Sequence, residues 1–185
     1  MIVGAGKSSK LSVGGENASA RYDSARVLES AEPSAFSGSP TPVRLTLELR
    51  RNLGGMVMRA LLGGEFVPGG DRTTFTVLVA SAPFDSGVAA TCASDLGSPL
   101  IPGLPIDFAP AVRTGLGYAV QLDPLPSGTL RVDRAGHDLM GSSEAAFYQA
   151  AVLLRAAFSA SLHGTDLAER LVQRLDEIPA DSFGA

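Results

Sequence analysis

The chain reads as an α+β domain, a mainly antiparallel sheet with helices on one face, and three stretches predict it. From Val43 to Arg50 apolar Val, Leu, Leu and Leu alternate with Arg, Thr, Glu and Arg, the period-two pattern of a strand with one buried face. A second alternation runs through Phe75, Val77 and Val79. Further on, Phe147, Ala150, Ala151, Leu154, Phe158 and Leu162 recur at steps of three and four, so Ser142 to Leu162 is expected as the core helix. Runs of strands followed by helices argue for helices covering one face of a sheet.

Residues 1–42 read as a Gly/Ser-rich arm, with Ile2-Val3, Leu11, Val13 and Val27-Leu28 as short edge strands or mobile segments. Gly6-Lys7-Ser8 suggests a phosphate loop, but the required glycine five residues earlier is Met1, and this reading is rejected. After the Val43 strand, Gly54-Gly55, Gly63-Gly64 and Gly69-Gly70 are read as turns flanking a short strand or helix at Met56 to Leu62. Ala82 to Gly87 closes the second strand, and Val88 to Ala93 is a further expected strand. Ile106 to Tyr118 carries Phe108, Ala111, Val112 and Leu116 at helical spacing. Leu130 and Val132 mark a strand, and Asp133 to His137 a short loop before the core helix. Within that helix Tyr148, Gln149, Arg155 and Ser159 are expected to face water. Gly164 should end it, and Thr165 to Ile178 should form a last amphipathic helix with Asp166 and Glu169 as a capping box. Pro179 limits any continuation.

The 185 residues, 45% of them apolar, can bury one core. A net charge of -4 gives no overall basic field for nucleic acid or acidic lipid, so any such contact must be local. The single cysteine, Cys92, reads as a packed thiol. No apolar run approaches the roughly eighteen residues of a membrane span and no apolar leader is evident, so a cytoplasmic location without membrane contact is expected.

Two segments carry a family resemblance. Ser142-Ser143-Glu144-x-Ala146-Phe147-x-x-Ala150 resembles the S-S-E-x-A-F-x-x-A stretch of domain IV of bacterial elongation factor G. Upstream, Leu104-Pro105-x-x-Phe108-Ala109-Pro110-Ala111-Val112-x-x-Gly115 is similar to the I-P-x-x-Y-x-P-A-V-x-x-G helix of that domain. Between them Asp133 and His137 keep the spacing of the family's D-G-x-x-H hairpin. The resemblance covers residues 43–162, leaving 163–185 as a C-terminal helical extension. It implies the fold of the second domain of small-subunit ribosomal protein five, a sheet backed by two helices with a left-handed β-α-β crossover. It also implies a translation-associated role in contact with the ribosome or structured RNA.

Nothing here matches a GTPase phosphate loop, magnesium ligands or guanine-recognition residues, so the expectation is a stand-alone, non-catalytic domain without cofactor or metal. His137, Arg131 and Arg134 are the candidate RNA contacts, and Ser142, Ser143 and Glu144 the helix-start motif. The alternatives are a protein-interaction or oligomerisation module on the same scaffold, and a small enzyme using Ser142 or Ser143 with His137. A monomer is expected, a homodimer through the last helix being the alternative.

Overall fold

The computed structural model of the chain describes residues 1–5, 8–34, 41–80, 91–118 and 120–178. Its strands are β1 (Ile2–Ala5), β2 (Ser9–Gly14), β3 (Ser24–Pro33), β4 (Val43–Leu53), β5 (Met56–Pro68), β6 (Arg72–Ala80), β7 (Ile101–Pro102) and β8 (Gly128–His137). Its α-helices are α1 (Ala109–Leu116), α2 (Glu144–His163) and α3 (Leu167–Glu177). The strands make one sheet in the order β1-β2-β4-β5-β8-β6-β3, with β7 paired to the end of β8 off this path. All pairs are antiparallel except β6 with β8, whose parallel run is joined through α1. The α+β class with a mostly antiparallel sheet is therefore as expected.

The alternation in β4 and β6 turns Leu47, Leu49, Phe75, Val77 and Val79 toward the helices, where all are buried. Over this face lie the helices, α1 against β6 and β3, α2 against β4 and β5, and α3 against β1. β1, β2 and β3 belong to the same sheet as the rest. β2 pairs with β4 and buries Leu11 and Val13, while β1 and β3 are its edges.

Several expectations are corrected. Gly63-Gly64 is no turn but lies inside a 13-residue β5, opposite a bulge at Asp133 of β8. A Cβ added at Gly64 would stand 2.2 Å from the Arg131 carbonyl oxygen, so the glycine is required by close strand approach. Asp133 to His137 is the second half of β8 rather than a loop. The helix expected over Ile106 to Tyr118 is shorter, Ala109–Leu116, with Pro110 in its first turn, where a missing N–H costs nothing. Of the strand expected at Val88 to Ala93, residues 88–90 fall outside the described residues, and Cys92 makes an isolated bridge with Leu100. Ala82 to Gly87, Gly6, Lys7 and Pro179 also lie outside them.

The largest correction concerns α2. Every residue from Ala146 to Ala160 is buried, including Gln149, Arg155 and Ser159. The helix has no wet side because α1 and α3 flank it and the 120–127 segment crosses its back. Along that back Arg155 Nε donates to the Asp123 carbonyl at 2.8 Å and Ser159 Oγ to the Pro124 carbonyl at 3.0 Å. By length and composition this helix could span a membrane, with mean hydropathy 1.3 over its most apolar window, contrary to the sequence expectation. That window is 83% buried inside the fold, which accounts for its composition.

The helix ends follow the sequence. Ser143 caps α2 by accepting from Ala146 N–H, Gly164 closes it with φ +67°, and Asp166 caps α3 by accepting from Glu169 N–H. Leu171, Leu175 and Ile178 then join the main core, so the last helix folds back on its own chain.

Candidate nucleic-acid interface

Of the three candidate RNA contacts, Arg131 and Arg134 share a cleft of about 580 Å³ on the sheet face opposite the helices, and His137 is not part of it. The bulge opposite Gly63-Gly64 brings Arg131 and Arg134 into the same cleft although they are three residues apart on β8. The chain leading into β3 adds Arg21, Tyr22, Asp23 and Ser24, because Arg21 bridges to Arg134. Arg44 on β4 and Glu65 on β5 complete the wall.

Most charges here are already matched. Arg44 reaches Asp133 at 2.9 Å, Glu65 at 3.2 Å and Glu16 at 3.2 Å. Its hydrogen bond to Asp133 raises the guanidinium pKa further, against a partial opposing effect of burial. Arg134 pairs with Glu16 at 2.7 Å and Asp133 at 3.2 Å. Tyr22 Oη donates to the Leu78 carbonyl at 2.6 Å, and burial, with Asp133 nearby, raises its pKa. Arg131 and Arg21 differ, being exposed and without an ion pair among the described residues. Arg21, which sequence reasoning did not select, is the third basic residue of interest, and no periodic signal points to it because it lies between elements.

His137 is the last residue of β8 and only 4% exposed. Its Nδ1 lies 3.2 Å from the Gly103 carbonyl, and burial lowers its pKa, partly offset by that carbonyl and by Asp138. The exposed cations of this region are thus Arg131 and Arg21.

The hydroxyls of the helix-start motif are engaged in building the start of α2. Ser142 Oγ donates to the Arg59 carbonyl at 2.6 Å and accepts from Asp138 N–H at 2.9 Å. Ser143 Oγ accepts from Ala146 N–H at 3.2 Å, and Glu144 puts a carboxylate in the first turn, where the helix dipole favours it. Asp138 Oδ1 accepts from Met140 and Gly141 N–H. Burial alone would raise the Asp138 carboxyl, but these two amides and Arg59 outweigh it and hold its pKa below the ordinary value.

A buried ion pair went unread in the sequence. Glu48 and Arg59, 3% and 5% exposed, meet at 3.2 Å on the open face beneath the 92–100 segment. Arg59 also donates to Ser94 Oγ, Ser98 Oγ and the Ser98 carbonyl, and Glu48 accepts from Ser94 Oγ and Asp95 N–H. The alternation of β4 gives Glu48 as a wet residue; only the long-range cover by the 92–100 segment buries it. Under the same cover Cys92 packs with Ala20, Leu61 and Leu100, and burial pushes its thiol up to about 11. Among the described residues no group of three His, Cys, Asp or Glu side chains is arranged to hold a metal ion.

Comparison of the chain with protein-family models, with curated proteins and with solved structures returned no match.

Proposed function

We propose that the chain is a non-catalytic domain of the elongation factor G domain IV type that contacts structured RNA, the ribosome foremost, through the open face of its sheet. The observation that carries this reading is the pair of exposed arginines, Arg21 and Arg131, flanking a cleft whose other cations are held in place by acids. Paired arginines keep the cleft rigid, and the two without acids are available to phosphate. The segment β4-β5-β6-β7-α1-β8-α2 supports the kinship, since β6 and β8 are parallel strands joined through α1, a β-α-β connection of the kind the sequence resemblance implies. The left-handed sense of that crossover and the likeness to the second domain of ribosomal protein five are part of the proposal, as is a cytoplasmic monomer.

Co-sedimentation with ribosomes across a salt series tests it. Removing a single cation that touches phosphate reduces the salt slope by about one. Arg21→Ala with Arg131→Ala should therefore bind more weakly at low salt and with a slope smaller by about two. Absence of sedimentation at low salt, or a double variant indistinguishable from the parent, rejects the RNA reading.

A second reading, a protein-interaction module on the same scaffold, is favoured by one observation. The end of the sheet where β4 turns into β5 exposes Met56 at 73%, Leu139 at 58% and Met140 at 95%.

A further inference from the structure

Three cations stand side by side across the open face at this end. The strand register sets Lys10 of β2 opposite Arg50 of β4, and Arg50 opposite Arg59 of β5. Like charges directly opposite are destabilising. The fold neutralises only one of them, Arg59, with Glu48 and Asp138, each at 3.2 Å. Arg50 has a neutral partner, the Leu96 carbonyl at 2.7 Å, and Lys10 is exposed with no ion pair among the described residues. The guanidinium groups of Arg50 and Arg59 converge, for a Cβ added at Gly97 would stand 3.4 Å from a nitrogen of each.

Beside this row opens a cleft of about 620 Å³, lined by Arg50 and Arg59 together with Met56, Val57 and Met140. Such a volume is within the usual range for a seated ligand segment. We propose that it docks an acidic peptide segment of another protein, a carboxylate meeting Arg50 and Lys10 while an adjacent apolar side chain rests on Met56, Val57 and Met140.

Charge complementarity selects the carboxylate, because among the described residues the row lacks an acid for two of its three cations. Methionine walls adapt to varied apolar side chains. A peptide fits better than RNA. The apolar wall of Met56, Val57 and Met140 suits a side chain, and no aromatic ring among the residues lining the cleft offers a surface for a base. The site does not rest on the RNA reading. Arg44, in the other cleft, lies six residues along β4 from Arg50, roughly 20 Å at strand rise.

The test is selection of a random peptide phage library on the full chain, followed by affinity measurement of an enriched, fluorescently labelled peptide. The proposal expects enrichment of Asp or Glu next to Leu, Ile, Phe or Met. It also expects at least tenfold weaker binding by Arg50→Glu and by Met140→Asp, and a similar loss when the acid of the peptide becomes an amide. Both side chains reach the surface, and a melting curve matching the parent confirms each variant as folded; should Arg50→Glu melt early, Lys10→Glu replaces it. No enrichment, enrichment without acids, or equal binding by the variants overturns the proposal. Displacement of the peptide by an RNA hairpin, undiminished by Arg21→Ala with Arg131→Ala, would make the cleft a nucleic-acid site and overturn it equally.

Discussion

Arg155 in the helix layer and Arg50 on the open face are both arginines in ordered elements, yet they are used in opposite ways. Arg155 is fully buried and satisfied by Glu32 at 2.7 Å and by the Leu116 and Asp123 carbonyls, with its guanidinium 5.6 Å from the centre of the Phe75 ring. One side chain thereby ties α2 to β3, to β6, to the end of α1 and to the segment crossing the helix. Arg50 is half-buried, makes one bond to a neutral carbonyl and lies between two other cations. A charge whose every nitrogen finds an acceptor inside the fold holds architecture together. A charge left unmatched among like charges is a cost to folding that binding can recover.

The largest effect expected from this contrast is at Arg155. Replacing it with Ala removes one member of a buried pair and leaves Glu32, Leu116 and Asp123 without their donor, so equilibrium denaturation should show a loss of about 3–5 kcal/mol. A loss below about 1 kcal/mol would mean that the network contributes nothing net.

Leu154→Ala should cost about 2–5 kcal/mol by burial and cavity formation, since Leu154 is fully buried in the main core. Gln149→Ala sharpens the comparison. Its position off the apolar stripe suggests a wet residue, but it is fully buried and accepts from Arg51 at 3.1 Å. About 1–3 kcal/mol is expected in urea unfolding, because Arg51 would keep only its longer bond to the Ile178 carbonyl, 3.4 Å.

An effect of pH is expected at His137. Its folded pKa lies below the ordinary 6.5, so the unfolded chain binds more protons in the interval between the two values. The contribution of His137 to stability is thus full above pH 6.5 and declines as pH falls through that interval toward the folded pKa. Melting temperatures measured from about pH 7.5 down to about 5 should fall more steeply for the parent than for His137→Gln. Parallel curves would mean that the imidazole titrates alike in both states.

The strands and helices that carry the fold were legible where one local rule decided them, as in the alternation of β4 and the caps at Ser143, Gly164 and Asp166. What escaped was set by distant segments. Gly63-Gly64 has the composition of a turn but lies within β5, because β8 passes 2.2 Å from where a Cβ at Gly64 would stand. Gln149, Arg155 and Glu48 look solvated in their own elements and are buried by chain more than twenty residues away. The same holds for the candidate interface. Arg131 and Arg134 are local positive charge on one strand and can be read there, whereas their neighbour Arg21 is over a hundred residues distant and joins them only through tertiary pairing. His137 keeps its four-residue spacing from Asp133, but pairing of β8 with β7 carries it into the interior.

At Arg50 the expected change in stability is the smallest, within about 0.5 kcal/mol for an unpaired, half-exposed side chain. This makes parallel thermal unfolding of Arg155→Met and Arg50→Met, at low and at high salt, the most direct measurement of the central claim that matched arginines build the fold and unmatched ones are left for partners. The prediction is a melting temperature several degrees lower for Arg155→Met at both salts, against an unchanged or slightly raised value for Arg50→Met, with any gain confined to low salt where like charges repel. Equal destabilisation by the two substitutions, or a greater loss at Arg50, would contradict it.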